Sequence, residues 1–279
     1  MRRLIRFLLR AALLAALLAA FWYYENDTIQ TETFSVVSPD IPEAFSGFRI
    51  AVITDLHGRS FGPDNARLIK AVRSSKPDLI ALVGDIVDEH TDLAMLPPLC
   101  RGLSGIAPCF YVTGNHEWIR KDLPQVLDTI KDCGVTVLAN DYRTLTLGGQ
   151  QILLAGVHDP NGPSDMTTPE ALTARLRAEY PEDYLVVLNH RNDALDQWAA
   201  LGADLVISGH AHGGVIRIPF VGGLVSTNRT LFPKNTEGLC RQGGTVMAVS
   251  RGMGYTGPRV RLFNRPELMV LELQSEDAP

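Results

Sequence analysis

Little in this 279-residue chain points to cross-linking or to a thiol site. Its four cysteines, Cys100, Cys109, Cys133 and Cys240, form no C-x-x-C pair. That excludes a zinc knuckle and a disulfide-built scaffold. Cys100 and Cys109 could pair in an oxidising compartment; small buried thiols are the alternative. Acid is missing before Glu25, whereas Arg2, Arg3, Arg6 and Arg10 fall in the first ten residues. The net charge is −5, and residues 25–279 carry 22 Lys and Arg against 31 acids. A part that acidic is poorly suited to gripping a nucleic-acid backbone by charge, so no nucleic-acid partner is expected. Small anionic substrates stay open, because a metal can neutralise them locally. Beyond residue 24 there is no internal repeat and no low-complexity stretch. Apolar usage of 46% and charged usage of 20% are those of a globular chain, not of a disordered or polytopic one.

The one long apolar run is Leu4–Tyr24, broken only by Arg6 and Arg10. Its unbroken part, Ala11–Tyr24, is shorter than the ~20 residues of a full span, but both arginines can snorkel to the headgroups. The basic flank and the belt Phe21-Trp22-Tyr23-Tyr24 read as a signal anchor at residues 1–24. Leucine doublets break every A-x-A cleavage pattern, so retention in a bacterial inner membrane is expected. The positive-inside rule then puts the remaining chain outside the cytoplasm. The alternative is an interfacial helix with the domain on the cytoplasmic face.

Residues 25–47 read as a polar connector with one strand, Thr33–Val37, and residues 48–279 as one domain. Strand-length apolar runs occur at 49–54, 79–83, 109–112, 135–138, 151–157, 184–188 and 205–208, then at 244–250, 260–263 and 268–273. Helical periodicity falls at 64–75, 123–133, 168–180 and 192–201. Pro77, Gly134, Pro181 and Gly202 stop these segments. The pattern predicts an α/β fold of two packed mixed sheets with helices outside.

Five short strings close strands or follow them: Asp55-Leu56-His57, Gly84-Asp85-Ile86-Val87-Asp88, Gly114-Asn115-His116-Glu117, Asn189-His190 and Gly209-His210-Ala211-His212. Ligands of α/β sheets gather at the carboxyl ends of strands, so the strings can converge. Carboxylates, imidazoles and an amide without thiolate suit two divalent ions such as Mn²⁺, Fe²⁺ or Zn²⁺. Each string alone is a common accident. Together they hold five of the seven histidines, leaving His90 and His158 for surface or structural roles. An extended D-x-H or H-x-H would point both side chains one way. The glycines before Asp85, Asn115 and His210 remove bulk where backbone must turn. Arg59 is a candidate phosphate contact, with a surface role as the alternative. The apolar segment 215–232, with Phe220 and Phe232, reads either as core strands or as a wall for acyl chains.

The ordered set resembles the calcineurin-like metallophosphoesterases over residues 48–273. The strings Val249-Ser250-Arg251-Gly252-Met253-Gly254 and Arg261-Leu262-Phe263-Asn264-Arg265-Pro266-Glu267 resemble its bacterial membrane-anchored subgroup. Some members of that subgroup act on UDP-2,3-diacylglucosamine. The resemblance implies that Asp55, His57 and His212 hold one ion, that Asn115, His190 and His210 hold the other, and that Asp85 bridges them. It implies His116 as the acid facing the leaving group, with Asp88 steering a ligand or His116. A water activated between the ions would attack phosphorus in a lipid-linked or cell-envelope phosphodiester or pyrophosphate. A general phosphodiesterase, a nuclease or cyclic-nucleotide phosphodiesterase, and a silent membrane scaffold are the competing readings.

Overall fold

The computed structural model describes residues 1–163, 166–214, 216–225, 230–255 and 260–276. Helix α1 (Arg2–Asp27) stands apart, with no part of its most apolar 18-residue window buried. It is long and apolar enough to cross a membrane. Its last turn is different: Glu25 and Asn26 are buried against the rest of the chain.

Two six-stranded sheets follow. The first has the order β1 (Gln30–Ser38), β14 (Glu267–Ser275), β2 (Arg49–Ile53), β3 (Leu79–Val83), β4 (Cys109–Val112), β5 (Thr136–Val137). The second runs β12 (Gly238–Gln242), β13 (Thr245–Val249), β9 (Leu205–Ser208), β8 (Tyr184–Leu188), β7 (Gln150–Gly156), β6 (Asp141–Leu147). The middle strands are parallel, and β14, β12 and β6 supply the antiparallel pairs. Strand β1, within the segment expected as a connector, pairs with β14 along its whole length.

Alternation along the strands builds three apolar layers. In β3, Leu79, Ala81 and Val83 face the space between the sheets, and Ile80 and Leu82 face outward. Tyr184, Val186 and Leu188 of β8 meet the same inner layer from the other side. Helices α2 (Ala66–Ser74), α3 (Leu96–Ser104) and α5 (Leu123–Asp132) cover the first sheet through Leu68, Leu99 and Val126. Helices α6 (Pro169–Glu179) and α7 (Leu195–Leu201) cover the second through Leu172, Leu176 and Trp198. Strands buried on both faces read as unbroken apolar runs, which is why these were visible in the sequence. Thr168 caps α6 by accepting Ala171 N–H at 3.2 Å, and Gly202 ends α7 at φ +74°.

Three departures have physical causes. Edge strands β6 and β12 are half exposed and polar (DYRTLTL and GLCRQ), so they carry no apolar run. Helix α3 opens Leu96-Pro97-Pro98, where prolines cost nothing because first-turn N–H groups lack helical partners anyway. The strand expected at 260–263 is reduced to one bridge between Leu262 and Ile216. Here Arg261 is buried and donates to the carbonyls of Arg251, Gly252, Gly254 and Asn264, and Phe263 has φ +52°. All four cysteines are free, and Cys100, Cys109 and Cys133 are buried.

Candidate metal centre

The five strings meet at the carboxyl ends of β2, β3, β4, β8 and β9. The short helix α4 (Asn115–Ile119) begins directly after β4. Asp55, His57 and His212 present donor atoms all within 4.8 Å of one another, as do Asp85, His190 and His210. A third such group joins His57, Asp85 and His116. His212 Nε2 lies 3.3 Å from Asp55 Oδ1 and 3.2 Å from His57 Nε2. His190 Nε2 lies 3.1 Å from Asp85 Oδ2 and 3.9 Å from Asp55 Oδ1. Asp85 Oδ2 is also 3.8 Å from His57 Nε2, so this carboxylate stands between the two groups.

The local backbone is not extended. Asp55, His57, Asp85, His210 and His212 all have φ between +47° and +64°. Left-handed turns, rather than strand alternation, aim both members of each D-x-H and H-x-H pair inward. L-residues hold such angles only where the surroundings impose them. Gly84 (φ +76°) shows the crowding: a Cβ there would sit 2.6 Å from both Gly114 N and His190 Nδ1. Gly209 lies so close to Thr54 and Asp55 that any side chain would overlap them.

Four backbone N–H groups converge on the buried Glu117 carboxylate: Asp85 (2.9 Å), Ile86 (2.8 Å), Val87 (3.2 Å) and Gly114 (2.8 Å). Glu117 thus ties the turn after β3 to the turn after β4. Asp55 is held from behind by Thr54 Oγ1 (2.9 Å) and by His210 N–H (3.0 Å to Oδ2). The Val83 carbonyl lies 2.9 Å from His190 Nδ1, leaving Nε2 to face the carboxylates.

Burial pulls the pKa of His57 and of His210 down to about 4, and that of His212 well below its ordinary value. These imidazoles are neutral at pH 7, the form that binds metal. Burial also raises the Asp55 carboxyl. Asp85 goes the other way: burial opposes ionisation, but His190 and His57 hold its carboxyl well below the usual range. His190 itself rises to about 10, because Asp85 and Asp55 outweigh its desolvation. Two buried carboxylates, three neutral imidazoles and His190, whose proton a bound cation would displace, are a site suited to added positive charge. Asn115 Oδ1 is buried with no hydrogen-bond partner among the described residues, as a ligand awaiting a cation would be. The oxygen and nitrogen donor set therefore fits divalent metal.

His116 lies at the rim, its side chain 28% exposed. Its Nδ1 is 2.8 Å from Glu89 Oε2, and its ring stands edge-on to His57 with centroids 4.8 Å apart. Asp88 approaches a candidate ligand, with Oδ2 3.9 Å from His57 Nδ1. Glu117 and Arg261 stand inside strings the sequence offered, but without a structural role assigned to them, and Glu89 was not singled out at all. Glu89 follows the Gly84–Asp88 string directly, which was its only signal. Arg59 departs from expectation: it donates to the carbonyls of Met253 (3.0 Å) and Asn26 and pairs with Asp27 (3.4 Å), between the rings of Phe61 and Tyr255. Its guanidinium holds the end of α1. His158 is buried against Thr113 Oγ1 (2.7 Å) and Trp118, and His90 is exposed.

Residues 48–214 match the family model for the calcineurin-like phosphoesterases. The chain belongs to that family: a metal-dependent phosphoester hydrolase of the class that uses a dinuclear divalent centre. It is 31% identical over 263 residues to the Bacillus subtilis protein named "Uncharacterized metallophosphoesterase YkuE", covering 91% of this chain and 88% of that one. It is 30% identical over 232 residues to the Escherichia coli protein named "Phosphodiesterase YaeI", covering 81% of this chain and 82% of the other. Among solved structures, TT1561 of Thermus thermophilus aligns with TM-score 0.49 and 14% identity over 73% of this chain and 89% of that one.

Proposed function

We propose that this enzyme is anchored in a bacterial inner membrane by α1 and hydrolyses a phosphodiester or pyrophosphate bond of a lipid-linked or cell-envelope precursor, of the kind UDP-2,3-diacylglucosamine represents. The observation that carries the lipid assignment is the docking of α1 beside the site. Asn26 Oδ1 accepts Arg261 N–H at 2.7 Å, Arg261 donates to Gly254 O at 3.0 Å, and Gly254 N–H binds Asp55 O at 2.6 Å. Three hydrogen-bonded steps thus join the apolar helix to a candidate ligand. The arginines of the first ten residues favour a cytoplasmic N-terminus with the domain outside, whereas a UDP-linked precursor is cytoplasmic, so that substrate calls for the reverse orientation and an outward domain for another envelope phosphoester. The alternative is a broader phosphodiesterase, supported by the likeness to a relative bearing that name.

In this reading Asp55, His57 and His212 hold one divalent ion, Asn115, His190 and His210 a second, and Asp85 both. Mn²⁺, Fe²⁺ and Zn²⁺ all suit these donors. Bound ions of this kind supply Lewis acidity and a nucleophile at neutral pH. The chain's own residues do the rest. Glu117 fixes the two turns that carry Asp85 and Asn115, and Asp88 orients His57. Glu89 holds His116 at Nδ1, so Nε2 is the nitrogen free to give its proton to the leaving oxygen. Partial burial lowers the His116 pKa, but Asp85 and Glu89 raise it above its ordinary value, which keeps that proton in place. General acid help of this kind is worth about 10²–10⁴-fold.

The test is incubation of the full chain with UDP-2,3-diacylglucosamine, host lipid extract and bis-p-nitrophenyl phosphate, with phosphorus-containing products followed by mass spectrometry. A lipid-linked substrate cleaved much faster than the nitrophenyl diester supports the proposal. Equal turnover of every diester returns the broader reading.

A further inference from the structure

The segment after His212 is neither core nor wall in the form the sequence suggested. Val215 lies outside the described residues. Strands β10 (Arg217–Ile218) and β11 (Gly222–Gly223) form a small hairpin whose tip residue, Phe220, is fully exposed. Val221, Leu231 and Phe232 beside it are about as bare as the membrane-type helix α1, at 58–64% exposure. Phe220, Phe232 and Phe263 have φ of +68°, +49° and +52°. Turns in water place Gly, Asn or Asp at such angles. A bulky aromatic ring held there and left bare is kept for something outside the chain.

The position says what that is. Ile216 bridges Leu262, and Arg217 N–H donates to Leu262 O at 3.2 Å. The next residue, Phe263, is 46% exposed and packs edge-on against Phe21 of α1, with ring centroids 6.0 Å apart. Phe21 opens the aromatic belt that marks the headgroup level of a membrane helix. The root of the hairpin is therefore joined, through Leu262 and Phe263, to the apolar surface of α1 at the level of that belt. Its root is the metal turn itself: Gly223 packs on Gly214, and Arg217 Nη1 donates to Gly213 O at 3.2 Å.

We propose that this hairpin, with Phe232 and Phe263, is a second membrane contact that dips into the lipid interface beside α1 and seats the metal centre at the bilayer surface. The occupant is the headgroup and upper acyl region of the membrane that holds α1, so the inference rests on α1 being inserted. Amphipathic surface contacts of this type bury apolar side chains about 5–10 Å deep. The hairpin then presents membrane-borne phosphoesters to the site without their leaving the bilayer.

The test uses the full chain with Cys240→Ser, reconstituted in phosphatidylethanolamine–phosphatidylglycerol vesicles. Nitroxides are attached singly after Leu14→Cys, Phe220→Cys, Phe232→Cys or Leu147→Cys, the last on edge strand β6. Relaxation by oxygen, which partitions into lipid, is compared with relaxation by a water-soluble nickel chelate. Positions 14, 220 and 232 should favour oxygen, and position 147 should favour the chelate. A lipid signature at 14 with an aqueous one at 220 and 232 overturns this inference alone. Low access to both agents at 220 and 232 means a protein covers the hairpin, and overturns it too. An aqueous signature at 14 overturns the anchor and the hairpin contact together. Hydrolysis of bis-p-nitrophenyl phosphate by the same samples reports the chemistry independently of where the hairpin lies.

Discussion

Glu89 Oε2 sits 2.8 Å from His116 Nδ1, and that contact sets which imidazole nitrogen faces the metal cluster. A carboxylate one residue beyond the Gly84–Asp88 motif thus orients the proposed acid, while Asp88 lies 3.9 Å from His57. His116→Ala should retain both ions yet lose activity most on substrates with poor leaving groups. Equal losses on p-nitrophenyl and alkyl esters would remove the acid role. Glu89→Gln removes a charge that raises the His116 pKa. The alkaline limb of kcat/KM on an alkyl ester should therefore move to lower pH, with the p-nitrophenyl profile much less affected.

Glu117 binds four backbone N–H groups from the two turns that carry Asp85 and Asn115. Hydrogen bonds to a charged partner contribute about 1.5–3 kcal/mol each and do not add fully. Glu117→Gln leaves one acceptor oxygen and turns an amide toward backbone donors. A loss of about 2–4 kcal/mol is expected, read from the urea midpoint, together with weaker metal retention. A midpoint unchanged within error would mean the turns hold themselves.

Away from the metals, His158 carries a stability signature. Burial lowers its folded pKa to about 4 from an ordinary 6.5. Between those values the unfolded chain binds a proton that the folded chain refuses. Stability is thus fully present above about pH 6.5 and lost as pH falls toward 4, at up to about 1.4 kcal/mol per pH unit. Metal-free His158→Asn protein should show a shallower acid-side decline than the metal-free parent in urea titrations from pH 7 to 4.5. Identical slopes would place the proton elsewhere.

Helix α1 contributes structure as well as an apolar surface. Glu25 Oε2 accepts Asn264 N–H at 3.2 Å, and Asn26 exchanges hydrogen bonds with Arg261 on both its amide atoms. A chain beginning at residue 25 should keep these contacts, whereas one beginning at residue 29 should lose them. With three hydrogen bonds at about 0.5–1.5 kcal/mol each, a difference of about 2–4 kcal/mol is expected, read as a lower Tm for the shorter chain. Equal Tm values would show that the last turn of α1 only rests on the domain.

How much of this was legible in sequence follows from where each residue stands. Strands such as β3 and β8 are apolar on both faces, so composition alone revealed them. The half-exposed edges β6 and β12 have no such signal. The candidate donors and their order were readable because only certain residue types offer oxygen and nitrogen atoms to a divalent ion. Their route to one another was not: it runs through left-handed turns at Asp55, His57, Asp85, His210 and His212, which no local pattern announces. Arg59 and Arg261 were opaque for a different reason. An arginine's role depends on which carbonyls come within reach, and those lie up to 194 residues away in the chain.

The most direct measurement of the central claim is metal content against hydrolysis, in the full chain saturated with Mn²⁺ or Zn²⁺ and then dialysed. The account predicts two ions per chain in the parent protein. It predicts at most one in Asp85→Ala, whose bis-p-nitrophenyl phosphate turnover should fall to background. Undiminished turnover by Asp85→Ala, or by parent protein stripped of metal, would contradict it.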